Sequence, residues 1–282
     1  PNDLRQFGVG QAVAAVVLLW KPLFRGIGKG PVAEAYLDFQ DMSSRDFYGR
    51  AFKPLKGKYG KDVSFEVISF PMPLHPRSRR AGVAIECAKE SGKADVFIDA
   101  LLEFFSFTES ELVRAAKKAQ LPMEAFSKCL ANKARREESL ARKLEGYRKS
   151  GIVNVPTFVL GNERITGSQP VEVYERAVLK VLGKPVQELK TYGVKIVVDP
   201  SCEVCESTAY LRALKENFYP NLEAQEIDCS SAEGRSLMEA AKVRAVPLYV
   251  FERGIENITS FPQVRPIFGD TPAGYYIRPD AY

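Results

Sequence analysis

The chain is poor in histidine: His75 is the only one in 282 residues. That excludes mechanisms needing several imidazoles. A Ser-His-Asp hydrolase would have to use His75, which sits between Leu74 and Pro76 with no nucleophile motif nearby. Five cysteines are too few for a disulfide-dense scaffold. Charge of one sign is not in excess: 40 basic and 35 acidic residues leave +5. No arginine-rich arm or aromatic–basic interleaving is present, which argues against a nucleic-acid partner. The one basic cluster, His75-Pro76-Arg77-Ser78-Arg79-Arg80, reads as a solvated helix start rather than an anion site. The longest early apolar run, Ala12 to Trp20, is shorter than the roughly 20 residues a bilayer requires. It reads as a buried element, or as the stub of an anchor or signal segment, leaving room for a membrane anchor before Pro1. With 45% hydrophobic residues, the chain is long and apolar enough for two folded domains.

What the sequence does have is Cys202-Glu203-Val204-Cys205, directly after the apolar run Val194 to Val198. A CxxC at the end of a strand, opening a helix, is the layout of a thiol-disulfide redox site. Helix amides beneath Cys202 would stabilise its thiolate, the attacking species in exchange. Half a zinc site would need a second Cys or His pair. Cys87, Cys129, Cys229 and His75 form none, so neither metal nor cofactor is expected. Glu203, Asp199 and Glu206 bring negative charge close to Cys202, which disfavours a thiolate and points to a reducing or isomerising couple.

The chain reads as one plan written twice. In the first half, Ala33 to Phe39 is a strand, about Asp46 to Tyr59 a helix and Val63 to Phe70 a half-buried strand closed by Pro71 and Pro73. A long helical stretch follows from about Arg79 to Ser150, with Leu140, Leu144 and Tyr147 on one face. Val155-Pro156 then leads the strand up to Leu160, Gly161-Asn162 turns, Glu163 to Ile165 returns, and Pro170 to Leu182 is a helix. Gly183 to Gly193 reads as a linker. In the second half, Val194 to Val198 is a strand, Cys202 to Phe218 a helix, Glu223 to Asp228 a strand and Ala232 to Ala241 a helix. Val246-Pro247 leads the strand to Phe251, and Gly274 to Ile277 is a last edge strand. Such alternation implies an α/β fold with mixed sheets.

This order, with CxxC after the first strand and Val-Pro before a later one, resembles the thioredoxin fold. The resemblance implies cis Pro247, with Val246, packed against Cys202 and Cys205, and Pro156, with Val155, in the matching place of the first half. The first half further resembles the DsbA-like branch, in which a helical subdomain is inserted. The matching segments are Tyr36 to Gln40, Phe70 to Pro76, Glu86-Cys87-Ala88, Cys129-Leu130 and Gly151 to Gly167 with Gln169-Pro170. The expected architecture is therefore two thioredoxin-like domains: 1–30 an extension, 31–183 DsbA-like with a helical insertion, 184–192 a linker and 193–282 the CxxC domain.

The departure from the family lies between Asp41 and Phe47, where the family's CxxC belongs and no cysteine stands. The missing pair falls at Asp41 and Ser44, or at Ser44 and Phe47; Ser44 takes one place either way. Three explanations stand: a redox-dead binding platform, a serine substituted for a native cysteine, or a functional serine. The last resembles kappa-class glutathione transferases and chromene-carboxylate isomerases, although their usual Ser-Pro is Ser44-Arg45 here. The DsbA-like resemblance also implies a Cys87–Cys129 bridge, against the alternative of two buried thiols, and with it an oxidising, periplasmic or otherwise extracytoplasmic compartment. Cys229 is expected as a free thiol. The function expected is thiol-disulfide exchange on protein partners through Cys202 and Cys205, the first domain docking the client. A glutathione-dependent enzyme at Ser44 and a non-catalytic scaffold are the alternatives.

Overall fold

A computed structural model describes residues 30–202 and 207–281. The Ala12–Trp20 run, Glu203 to Glu206, and hence Cys205, lie outside the described residues. The first half runs β1 (Val32–Leu37), α1 (Met42–Phe47), a π-helical turn (Tyr48–Phe52), α2 (Lys53–Tyr59), β2 (Ser64–Ser69), α3 (Ser78–Glu90), α4 (Ala94–Leu101), α5 (Glu109–Lys118), α6 (Met123–Ala131), α7 (Lys133–Lys149), β3 (Thr157–Leu160), β4 (Glu163–Thr166) and α8 (Val171–Val181). The second runs β5 (Tyr192–Val198), α9 (Thr208–Asn217), β6 (Leu222–Asp228), α10 (Ala232–Ala241), β7 (Leu248–Phe251), α11 (Phe261–Val264), β8 (Phe268–Thr271) and β9 (Gly274–Ile277).

Two sheets result, in the orders β2-β1-β3-β4 and β6-β5-β7-β9-β8. In each, the first two strands in sequence pair in parallel across a helical crossover, and the third pairs antiparallel with the first. The two sheets thus share a thioredoxin-like βαβ–β grammar, and each is an α/β layer with its own buried cluster. The helical insert lies between β2 and β3. The stretch Arg79 to Ser150, expected as one helical run, is five helices. Gly92 at φ 66°, the Thr108–Glu111 capping box and Pro122 at the N-cap of α6 break it. A disulfide joins Cys87 in α3 to Cys129 in α6, both buried.

Three further expectations are corrected. The first helix begins at Met42, not Asp46, because the Asp41 carboxylate accepts the Ser44 amide at 2.6 Å and caps it. Tyr192, expected in the linker, opens β5: it pairs with Leu222 and its ring packs on Tyr219. Gly274–Ile277 is not the edge strand. It lies between β7 and β8, and β8 takes the edge.

The halves meet at the loop before α8. Gln169 Nε2 donates to the carbonyls of Lys215 (2.9 Å) and Glu216, the last turn of α9. Gly167, at φ 83°, lies so close that a Cβ there would stand 2.4 Å from the Glu216 carbonyl oxygen. Thr259 donates to Glu172 at 2.9 Å on the same side.

Candidate functional site

Both halves make the same turn where their first strand ends. In the second, the Ser201 amide donates to Asp199 Oδ1 at 2.9 Å and the Cys202 amide to the Asp199 carbonyl at 3.1 Å. In the first, Gln40 donates to Asp38 Oδ1 at 2.8 Å and Asp41 to the Asp38 carbonyl at 3.0 Å. These are Asx-type turns that replace the ladder bonds lost where a strand stops. The third strands extend the match. Val197 pairs with Leu248 and Tyr36 with Thr157, so one step on, Val198 faces Pro247 and Leu37 faces Pro156. Both Val246–Pro247 and Val155–Pro156 are cis. Cys202 stands four residues after Val198, and Asp41 four after Leu37. Three residues further the sequence carries Cys205 and Ser44.

Cys202 is disulfide-bonded and lies in coil. Among the described residues its helix starts at Thr208, with Ser207 in the cap position. The helix expected from Cys202 to Phe218 is described only from Thr208 to Asn217, and residues 203–206, where it would open, lie outside the described residues. Ser207 is itself fixed, donating to Glu226 at 2.6 Å while its carbonyl accepts the Tyr249 hydroxyl at 2.9 Å. Burial pushes the Tyr249 hydroxyl up to about 12, so it stays a donor. The Ser201 hydroxyl and amide hold Asp199 below the usual carboxylate range, so its negative charge persists close to Cys202. Cys229 is a half-buried free thiol. Its amide donates to the Val198 carbonyl at 2.8 Å, at the end of the sheet from which Cys202 departs.

In the first half Ser44 is fully buried, and its Oγ accepts the Asp38 amide at 3.2 Å. Phe47 is three residues further into the core, its ring 4.7 Å from Tyr174 and 6.1 Å from Phe158. Arg45 reaches inward and donates to the carbonyls of Phe39 and Phe104, both at 3.0 Å, and of Leu102. It covers the Phe105 ring at 3.9 Å. Burial lowers its pKa from the ordinary value. Arg45 thus ties α1 to the helical insert, a role no spacing rule signalled. Also unforeseen was Asp38, whose buried carboxylate gathers four donors, His75 among them. The only sequence signal was an acid ending an apolar strand. Among the described residues no cluster of three or more His, Cys, Asp or Glu could hold a metal ion, and no helix is long and apolar enough to cross a membrane.

The family model described as Thioredoxin matches residues 22–180. The uncharacterized protein YwbO of Bacillus subtilis (strain 168) is 23% identical over 145 residues, 49% of this chain and 70% of that protein. Among solved structures, alpha-DsbA1 of Wolbachia pipientis is similar with a TM-score of 0.50 and 19% identity, over 58% of this chain and 94% of that one. The thiol-disulfide exchange protein alpha-DsbA2 of the same organism gives 0.49 and 16%, over 55% and 83%. At 19% identity the likeness to alpha-DsbA1 is one of fold.

Proposed function

The chain belongs to the thioredoxin family, and on that premise we propose that it exchanges disulfides with protein partners through Cys202 and Cys205, while its first half is a redox-dead docking platform. One observation carries the reading. The two halves share the turn, strand register and cis proline, yet cysteines stand in those places only in the second, against Asp41 and Ser44 in the first. This favours the Asp41/Ser44 register over Ser44/Phe47. A carboxylate and a hydroxyl form no disulfide, so only the second half can pass electrons.

In the reducing direction the Cys202 thiolate attacks a client disulfide. A Cys202–client disulfide forms and the first client thiolate leaves. Cys205, as thiolate, then attacks the Cys202 sulfur, releasing the second client thiolate and closing the Cys202–Cys205 bond. Two electrons pass to the client; the reverse sequence oxidises it. Pro247 and Val246 flank the exchange and offer backbone to an extended client. Asp199 beside Cys202 sets negative charge against the thiolate, which makes the dithiol reducing. The Cys87–Cys129 bridge supports an extracytoplasmic setting. A glutathione-binding role for Ser44 is disfavoured by its burial and its bond to the Asp38 amide.

The test is a redox titration of the full chain, with alkylation and mass mapping at each point. Cys202 and Cys205 are expected to titrate together as one two-electron couple, with a midpoint below about −200 mV. A pair that never cycles overturns the enzyme reading, and a midpoint near the roughly −120 mV of a strong oxidant overturns its direction.

A further inference from the structure

Each half ends its first strand on an aspartate, but Asp38 does more than Asp199. Asp199 serves its own turn, bonding Ser201. The Asp38 side chain is fully buried, and its second oxygen accepts the Met72 amide at 2.7 Å and meets His75 Nδ1 at 2.8 Å. The Ser78 hydroxyl donates to the first oxygen. A carboxylate oxygen has no proton to give, so Nδ1 carries the hydrogen and Nε2 is the outward nitrogen. His75 is held in one orientation, with 32% of its side chain exposed.

His75 lines a cavity of about 390 Å³ together with Arg79, Arg80, Met72, three prolines and, from α7, Glu137. The Arg79 and Arg80 side chains make no hydrogen bond or ion pair among the described residues. They sit in the first turn of α3, which carries no acid to offset them, at the positive end of the helix. A buried carboxylate, an oriented imidazole and two unneutralised guanidiniums thus share one opening.

We propose that this cavity binds a carboxylate ligand, with His75, Arg79 and Arg80 taking the oxyanion and the Met72 and proline walls taking the apolar group beside it. Guanidinium forks match a carboxylate in two-pronged fashion. Protonated His75 adds a third donor through Nε2, while Asp38 behind it keeps the ring in place. Glu137 keeps the anion on the arginine side of the cavity. The ligand is either an acidic residue within a protein segment or a free small-molecule carboxylate. The proposal does not rest on the chemistry of Cys202, and its site shares no residue with that pair.

A single histidine gives a single imidazole Cε1–H resonance, so proton NMR of the full chain reads the site directly. Citrate, and separately a blocked peptide with a Glu between leucines, are titrated at pH 6 and at constant ionic strength, with chloride as control. A saturable shift of the His75 signal is expected, at least about tenfold weaker in Arg79→Ala/Arg80→Ala. Saturation by the peptide alone identifies a protein segment, and by citrate alone a small molecule; either supports the site. A shift that chloride reproduces, that fails to saturate, or that persists unchanged in the double variant overturns it. Cys202→Ser/Cys205→Ser is expected to bind as the parent does, which separates this proposal from the redox reading.

Discussion

Gln169→Glu probes how the two halves are held together. The side chain is 7% exposed, and both of its amide bonds go to carbonyls in the last turn of α9. The loop around it is fastened to the first half: the Gln169 amide donates to Tyr174, the Gly167 amide to the carbonyl of Pro156, and Ser168 to Asp46. Gln169 Oε1 has no partner, so the amide acts here only as a donor. Replacing it with a carboxylate of the same shape removes two bonds, worth about 0.5–1.5 kcal/mol each. It also sets a negative charge at the negative end of α9, costing about 0.3–1 kcal/mol more. The total is about 3 kcal/mol, which lowers Tm by about 6–10 °C in a chain of this size. Gln169→Ala also frees the structure of the unpartnered Oε1 and is expected to cost less, about 1–2 kcal/mol. The sign with pH is fixed. Docking raises the pKa of the new carboxyl above its unfolded value of about 4.3. The penalty is therefore small below about pH 4, grows as pH rises through that value, and is complete above the raised pKa. Scanning calorimetry at pH 7.5 and pH 4 reads both. A drop under about 2 °C at pH 7.5, or an equal drop at pH 4, refutes the reasoning.

Three further outcomes are expected. Ser44→Ala leaves the buried Asp38 amide without its acceptor and is expected to cost about 1–2 kcal/mol in urea unfolding, without changing the Cys202 midpoint potential. Removing the Cys87–Cys129 bridge by Cys87→Ala/Cys129→Ala releases a loop of 42 residues' separation and is expected to cost up to roughly 4 kcal/mol, read against the parent protein with that bridge intact. Glu175, held below the usual carboxylate range by the Lys58 ammonium and the Tyr59 hydroxyl, contributes stability above about pH 4.3 that is lost as pH falls through its lowered pKa. Glu175→Gln is therefore expected to destabilise by a few tenths of a kcal/mol at pH 7 and by less at pH 3, by calorimetry at both.

Local chemistry determined much of this protein from its sequence. Apolar runs marked β1, β2 and β5, because a strand buried on its sheet must be apolar there whatever surrounds it. Ala232 to Ala241 was legible to the residue, since Ser231 caps its start at Gly234 and Lys242 ends it at φ 56°. Cys202-x-x-Cys205, the two Val-Pro steps and the absence of cysteine near Ser44 also stood in the sequence itself. Other features depended on pairing over long range. The proposed match of Asp41 and Ser44 to Cys202 and Cys205 needed Tyr36 against Thr157 and Val197 against Leu248, partners 121 and 51 positions apart. β8 escaped notice because Gly269 and Asp270 are poor strand formers, and only pairing with β9 makes them one. The Asp38–His75 contact spans 37 residues. A buried carboxylate gathers its donors from whichever loops the fold brings to it, and no spacing rule in one chain segment encodes that.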